Sequence, residues 1–112
     1  MEDLLEKLLK ITGVQGSLVV GKDGLVIASV GHFSPDPDSF GATVAEVLNQ
    51  LDSSFSGQGT IRRLTLDQEA AVLHAVSINE VTYLVSQASA TTNLGRLRLD
   101  SDQVTAALRE QL

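Results

Sequence analysis

The chain has 112 residues, of which 43% are hydrophobic and 20% charged, and this composition predicts one globular domain spanning residues 1–112. Fourteen acidic residues against eight basic ones give a formal net charge of -6, which argues against nucleic acid as a partner. The chain contains no cysteine, so disulfides and thiolate chemistry are excluded; with no secretory leader pattern and no apolar run of about 20 residues, we expect a cytoplasmic protein without integral membrane association.

The first predicted element is a short amphipathic helix over residues 2–12, with leucines on one face and acidic residues in its first turn. Gly13 predicts the end of this helix. A β-hairpin follows, with strands at 17–20 and 25–30 around the turn at 22–24. Because the second strand is apolar on both faces, we expect both of its faces to be covered.

The central helix has the strongest periodicity in the chain, and Asp38 or Ser39 is predicted to cap it. Its apolar stripe consists of Phe40, Val44, Val47, Leu48, Leu51 and Phe55.

Three β-like segments follow, at about 60–66, 70–78 and 81–87, and their short separations predict an antiparallel meander. A last helix begins near Thr92 or Asn93, and the polar run 100–102 is expected to loosen its middle. The predicted order is therefore α-β-β-α-β-β-β-α, in the α+β class.

Motifs that would carry chemistry lack the context that they need. Residues 16–22 spell G-x-x-x-x-G-K, but Asp23 replaces the Ser or Thr of a phosphate-binding loop and the segment is typical of a hairpin. His32 and His74 have no metal-ligand spacing; His32 is expected to be exposed, and His74 to be a sheet residue with a satisfied ring nitrogen. We therefore predict no catalytic residue, metal or cofactor.

The central helix is unusual because small or neutral residues replace the lysines and glutamates of a solvated face, and because no Lys or Arg occurs from Asp23 to Ile61. Two interpretations remain open: ordinary packing on the chain's own sheet, with the Arg62-Arg63 pair protecting an edge strand, or a surface that binds a second copy or another partner. On the second interpretation, Ala45→Arg should disrupt a dimer. The candidate interface consists of Gly41, Ala42, Val44, Ala45, Leu48, Asn49, Asp52, Thr60, Ile61, Arg62, Arg63 and Leu64.

Two segments resemble the roadblock / dynein light chain family. Residues 13–28, GVQGSLVVGKDGLVIA, are similar to the family's opening GV-x-G-x-x-(V/L)-x-x-x-DG-x-x-(I/L)-A, and residues 92–98, TNLGRLR, are similar to its N-x-G-x-(L/A)-R start of the last helix. The resemblance implies a five-stranded antiparallel sheet with helices on both faces. It also implies homodimers that pair the third strand and the central helix across a two-fold axis, and no enzymatic activity.

Bacterial and archaeal members of that family often regulate small Ras-like GTPases, as the gliding-motility GTPase-activating protein does, and eukaryotic relatives are motor light chains and lysosomal scaffold subunits. The resemblance thus implies a homodimeric binding module that regulates or scaffolds a small Ras-like GTPase. The alternatives are a motor or complex light chain, or a small-molecule sensor of PAS- or GAF-like layout. A sensor needs polar groups inside an apolar cavity, whereas these residues are interpreted as plain core: Leu25, Ile27, Val72, Val76, Tyr83 and Val85.

Overall fold

The computed structural model describes residues 1–112 and contains three helices and five strands in the order predicted from the sequence. The elements are α1 (Glu2–Leu9), β1 (Val14–Gly21), β2 (Val26–Gly31), α2 (Pro37–Ser54), β3 (Arg63–Asp67), β4 (Ala71–Ser77), β5 (Thr82–Ser89) and α3 (Leu94–Arg109), with one 3-10 turn at Ser56–Gln58. None of the helices combines the length and the apolar character needed to cross a bilayer.

The five strands form one sheet in the order β2-β1-β5-β4-β3, and every neighbouring pair is antiparallel. The two halves of the chain meet at its centre, where β1 pairs with β5 and the Ser17 and Ser86 hydroxyls lie 3.3 Å apart. β2 and β3 are therefore the two edge strands of the sheet.

Helices cover both faces of this sheet, which confirms the predicted fold class. One apolar layer lies under α1 and α3, with Leu5, Leu8, Val19, Leu84, Leu97 and Leu108 fully buried or nearly so. The other lies under α2, with Leu18, Val20, Phe33, Leu48, Tyr83 and Val85. Each such side chain contributes roughly 1.5–3 kcal/mol by its removal from water.

The expectation that both faces of the second hairpin strand are covered is wrong. Leu25 is 68% exposed and Ile27 is 50% exposed. Leu25 lies just before β2 and not within it. Ile27 lies on β2, an edge strand whose register with β1 shifts between Val19 and Val20, which leaves Ile27 without a partner residue. The other four residues interpreted as core are buried, namely Val72, Val76, Tyr83 and Val85.

The capping residue of α2 also differs from the prediction. Asp36, rather than Asp38 or Ser39, is the N-cap, and its Oδ1 accepts a hydrogen bond of 2.8 Å from the Ser39 backbone N–H. Pro37 occupies the first turn of the helix, where its missing N–H costs nothing. The helix therefore begins at Pro37, three residues before Phe40, the first residue of its apolar stripe.

The last helix is continuous from Leu94 to Arg109, so the expected loosening at 100–102 does not occur. Asp100 accepts a hydrogen bond of 2.9 Å from Arg96 one turn earlier, and Asp102 forms an ion pair of 3.0 Å with Arg63. Each acidic side chain thus has a cationic partner that holds it in the helical arrangement.

Candidate functional site

The free edge of β3 is the first part of the candidate site. β3 pairs with β4 on one side and has no strand on the other. Arg63 and Asp67 are exposed, Leu64 is half-buried and Leu66 is 43% exposed. An edge with unpaired backbone groups and exposed apolar side chains is a template for another strand.

An apolar groove lies beside this edge, on the α2 face of the sheet, and is here named the α2–β3 groove. It exists because α2 packs over β1 and β2 and leaves the neighbouring part of β3 and β4 uncovered. The groove encloses about 420 Å³ and is lined by Ser34, Pro35, Ser39, Phe40, Thr43, Val44, Val47, Leu64, Leu66 and Leu73. It is continuous with the free edge, since Leu64 and Leu66 belong to both.

Four of the predicted interface residues on α2 face the chain's own sheet. Gly41, Val44, Ala45 and Leu48 are buried in the core. A Cβ atom at Gly41 would lie 2.5 Å from Val26 Cγ2, so glycine is what lets α2 approach β2 closely. The close approach expected from the small residues therefore occurs within the chain. Ala45 is only 1% exposed, and Ala45→Arg would damage folding before it could report on a dimer.

Asp52 likewise has an internal role. Its Oδ1 accepts a hydrogen bond of 3.2 Å from the Ile61 backbone N–H, and its Oδ2 accepts one of 3.3 Å from the Tyr83 hydroxyl. Burial, and then the charge and hydrogen bond of Asp52, raise the pKa of Tyr83 to about 12. Asp52 thereby ties the segment before β3 to the sheet. Thr60, Ile61 and Arg62 precede β3, so the strand predicted at about 60–66 is corrected to Arg63–Asp67.

The remaining predicted residues of α2, Ala42 and Asn49, lie on an exposed face of the helix. Together with Asp38 and Glu46 of α2, and with Asp23 of the neighbouring β1–β2 turn, they form what is here named the acidic face of α2. Part of this face borders a shallow depression of about 480 Å³. The Asn49 side chain donates a hydrogen bond of 2.8 Å to the carbonyl of Lys22, which fixes the β1–β2 turn against the helix. Lys22 borders the same depression, so one basic residue lies there with the carboxylates of Asp23 and Glu46.

His74 is buried on β4, and the prediction of a satisfied ring nitrogen holds for one nitrogen only. Thr65 Oγ1 lies 2.9 Å from Nδ1, while Nε2 has no hydrogen-bond partner. Burial, reinforced by Arg98 and Arg63 and opposed by Asp102, lowers the pKa of His74 to about 4. His32 is exposed, as expected. No group of three or more His, Asp or Glu side chains is arranged to hold a metal ion.

The interface predicted from the sequence omits several residues that line the groove, above all Phe40, Val47, Leu66 and Leu73. Phe40 and Val47 had been assigned only to the apolar stripe of the central helix. Leu64 and Leu66 alternate along β3 and face the same side as Leu73, their neighbour on β4. This alternation of apolar residues along β3 was the sequence signal that could have pointed to the groove. It indicates a half-buried strand, but it does not say whether the chain itself or a second molecule supplies the cover.

Comparisons with known proteins agree with this architecture. The model of the Roadblock/LC7 domain matches residues 1–88. An uncharacterized protein of Methanocaldococcus jannaschii, MJ0310, is 34% identical over 101 residues, which cover 88% of each chain. A Ragulator complex protein LAMTOR4 homolog from Nematostella vectensis is 32% identical over 85 residues, or 74% of this chain and 90% of that protein. The structure of gliding protein mglB from Thermus thermophilus superposes with a TM-score of 0.86 at 23% identity, covering 97% of this chain and 85% of that one.

Proposed function

We propose, from the premise that this chain belongs to the Roadblock/LC7 domain family, that residues 1–112 form a homodimeric, non-enzymatic binding module. The observation that carries the proposal is the continuity of the free β3 edge with the α2–β3 groove. A second copy covers both at once, because its β3 pairs with the edge while its own α2 lies against the exposed apolar side chains. The result is a two-fold dimer with a continuous sheet.

The partner that we propose for this dimer is a small Ras-like GTPase in the cytoplasm, which the module regulates or scaffolds. The role is the one implied by the family resemblance. The acidic face of α2 supports it, because this face points away from the groove and stays accessible in the dimer. Carboxylates at Asp38 and Glu46 can attract a basic patch on a partner and speed association at low salt. The relative that is part of a Ragulator complex is consistent with a scaffolding role.

Glu46→Lys tests the acidic face, since Glu46 is exposed near its centre. We expect this charge reversal to weaken binding of a small Ras-like GTPase from the same genome by about tenfold, mainly through slower association. Binding kinetics at two salt concentrations measure the effect. The matched control is Glu110→Lys, an exposed acidic residue just after α3 on the opposite face of the sheet. Equal losses in both variants would mean that net charge alone matters, and no binding by the wild type would remove the GTPase from the proposal.

Any activation of GTP hydrolysis is proposed to work by positioning the GTPase's own residues. An arginine finger needs a guanidinium that is free to enter the partner's site. Arg63 and Arg96 are held by carboxylates, and Arg109 donates to the Ile78 carbonyl at 2.7 Å. Arg62 and Arg98 are the remaining arginines. In single-turnover hydrolysis we expect Arg62→Ala and Arg98→Ala each to retain most of the activation, whereas a loss of about a thousandfold in either would identify a finger.

A small-molecule sensor is the second candidate, because the α2–β3 groove has a ligand-sized volume and its lining includes the polar residues Ser34, Ser39 and Thr43. A small molecule in the groove, however, leaves the backbone groups of the β3 edge uncovered. The two functions are separable by experiment. A ligand site would be sensitive to substitution of Phe40 but insensitive to charge changes at Arg63 and Asp67 on the strand edge.

A further inference from the structure

The free edge of β3 presents a defined set of backbone groups. The Arg62 carbonyl accepts a hydrogen bond of 2.9 Å from the Ser77 N–H, and the Gln68 N–H donates one of 2.8 Å to the Ala71 carbonyl. Even-numbered residues of this segment therefore direct their backbone groups toward β4. Successive residues of a strand direct these groups to opposite sides. The N–H and C=O groups of the odd-numbered residues, 63, 65 and 67, thus point outward from the sheet.

Thr65 is the middle residue of this five-residue strand. If two copies pair antiparallel about a two-fold axis at Thr65, the strand of each copy is used in full. Arg63 then lies opposite the partner subunit's Asp67, and Leu64 lies opposite the partner subunit's Leu66. Moving the axis by one residue, to Leu64 or Leu66, removes the opposite-charge pairs within the strand and leaves one end of it unpaired.

The side chains match in this register on both faces of the sheet. The two leucines of each copy meet on the α2 face, beside the groove. Arg63 and Asp67 meet their opposite charges on the α3 face, where the neighbours of Arg63 include Asp102 at 3.0 Å. The Arg63 guanidinium has five N–H donors, so the bond to Asp102 leaves donors for a second carboxylate.

We propose that Arg63 and Asp67 determine the specificity of self-recognition. This inference rests on the proposed homodimer and adds its register and its selectivity. Two chains of formal charge -6 repel one another, and the two Arg63–Asp67 pairs place opposite charges where the strands meet. Opposite charges across neighbouring strands stabilise pairing and like charges oppose it. A related chain with a different charge pattern on this strand is therefore a poorer partner than a second copy.

The test reverses the charge of one residue of the Arg63–Asp67 pair at a time. Arg63→Asp leaves two acidic residues on the strand and Asp67→Arg leaves two basic residues, so each variant alone pairs like charges twice. We expect the dissociation constant of each to rise at least about tenfold. An equimolar mixture of the two variants restores opposite charges at both pairs, and so does the double variant. Analytical ultracentrifugation with one variant labelled should detect the mixed dimer at close to wild-type affinity.

Rescue in the mixture is the decisive observation, because Asp102 is present in every variant and cannot produce it. A folded mixture that stays monomeric while the wild type dimerises overturns the register and the specificity. A monomeric wild type instead overturns the proposed homodimer, so the two failures are distinguishable. Thermal unfolding of each variant checks that the chains remain folded.

A crosslinking measurement keeps the register testable if Arg63→Asp does not fold. The chain has no cysteine, so a single one introduced by Thr65→Cys has only its symmetry mate to react with. Directly opposed residues in this type of pair lie about 5.5 Å apart at Cα, which suits a disulfide. We expect oxidation to link Thr65→Cys into a covalent dimer and to leave Leu66→Cys unlinked. The reverse pattern overturns the register.

Discussion

Leu66→Arg is expected to convert the proposed dimer into a folded monomer. Leu66 is 43% exposed on the edge strand, so an arginine there stays solvated while the chain is alone. In the proposed dimer the same position lies opposite an apolar side chain at the mouth of the groove, and symmetry places two unpaired charges in the interface. Each costs several kcal/mol, so the dissociation constant should rise at least about a thousandfold.

Light scattering at micromolar concentration measures this change as a halving of the mass. Leu25→Arg is the matched control, because Leu25 is an exposed leucine at the opposite edge of the sheet. We expect this control to keep the mass of the wild type. Loss of the dimer in the Leu25 variant, with retention in the Leu66 variant, would place the interface at the β2 edge and contradict the proposed one.

Acid should destabilise the protein through His74. The pKa of this side chain is about 4 in the folded chain and 6.5 as a reference for the unfolded chain. Because the folded value is the lower one, the unfolded state binds the proton first as the pH falls. The contribution of the neutral His74 ring to the free energy of unfolding is therefore complete above pH 6.5 and is lost progressively toward pH 4. Its full size is roughly 3 kcal/mol of unfolding free energy.

Urea unfolding at a fixed protein concentration, repeated between neutral pH and pH 4, measures this loss. His74→Leu removes the titrating group, so its unfolding free energy should fall less steeply over the same range. In His74→Leu the Thr65 hydroxyl loses its hydrogen bond to the histidine ring. Because Thr65 is half-buried, this hydroxyl can bond to water instead. His32→Leu is the control, because His32 is exposed, and it should retain the wild-type slope. Equal slopes in the wild type and His74→Leu would contradict the assignment.

Local patterns were sufficient to predict the order of elements but not the surroundings of each. The segment with Leu25 and Ile27 was predicted to be a strand covered on both faces. The strand exists, but Leu25 lies just before it, and the edge position and shifted register of the strand leave Ile27 exposed. Those properties depend on which strands become neighbours. A single strand's hydrophobicity does not contain that information.

The small residues of the central helix illustrate a second limit. Gly41 and Ala45 correctly predicted that a surface approaches α2 closely, and that surface is the chain's own sheet. Sequence cannot distinguish the two cases, since an internal and an external neighbour need the same missing side-chain volume. The groove escaped prediction for a related reason. Its lining comes from α2, β3 and β4, which only the tertiary fold brings together.

The position of β1 beside β5 has a consequence for how the chain folds. Ser17 and Ser86, which meet at the centre of the sheet, are 69 positions apart. The β1–β2 hairpin and the β3–β5 meander can each form from nearby residues within roughly microseconds, whereas joining them requires closure of a long loop. Folding should therefore be limited by the closure of this long loop, which brings β1 beside β5. During synthesis, β1 keeps one unpaired side until β5 (Thr82–Ser89) has emerged from the ribosome.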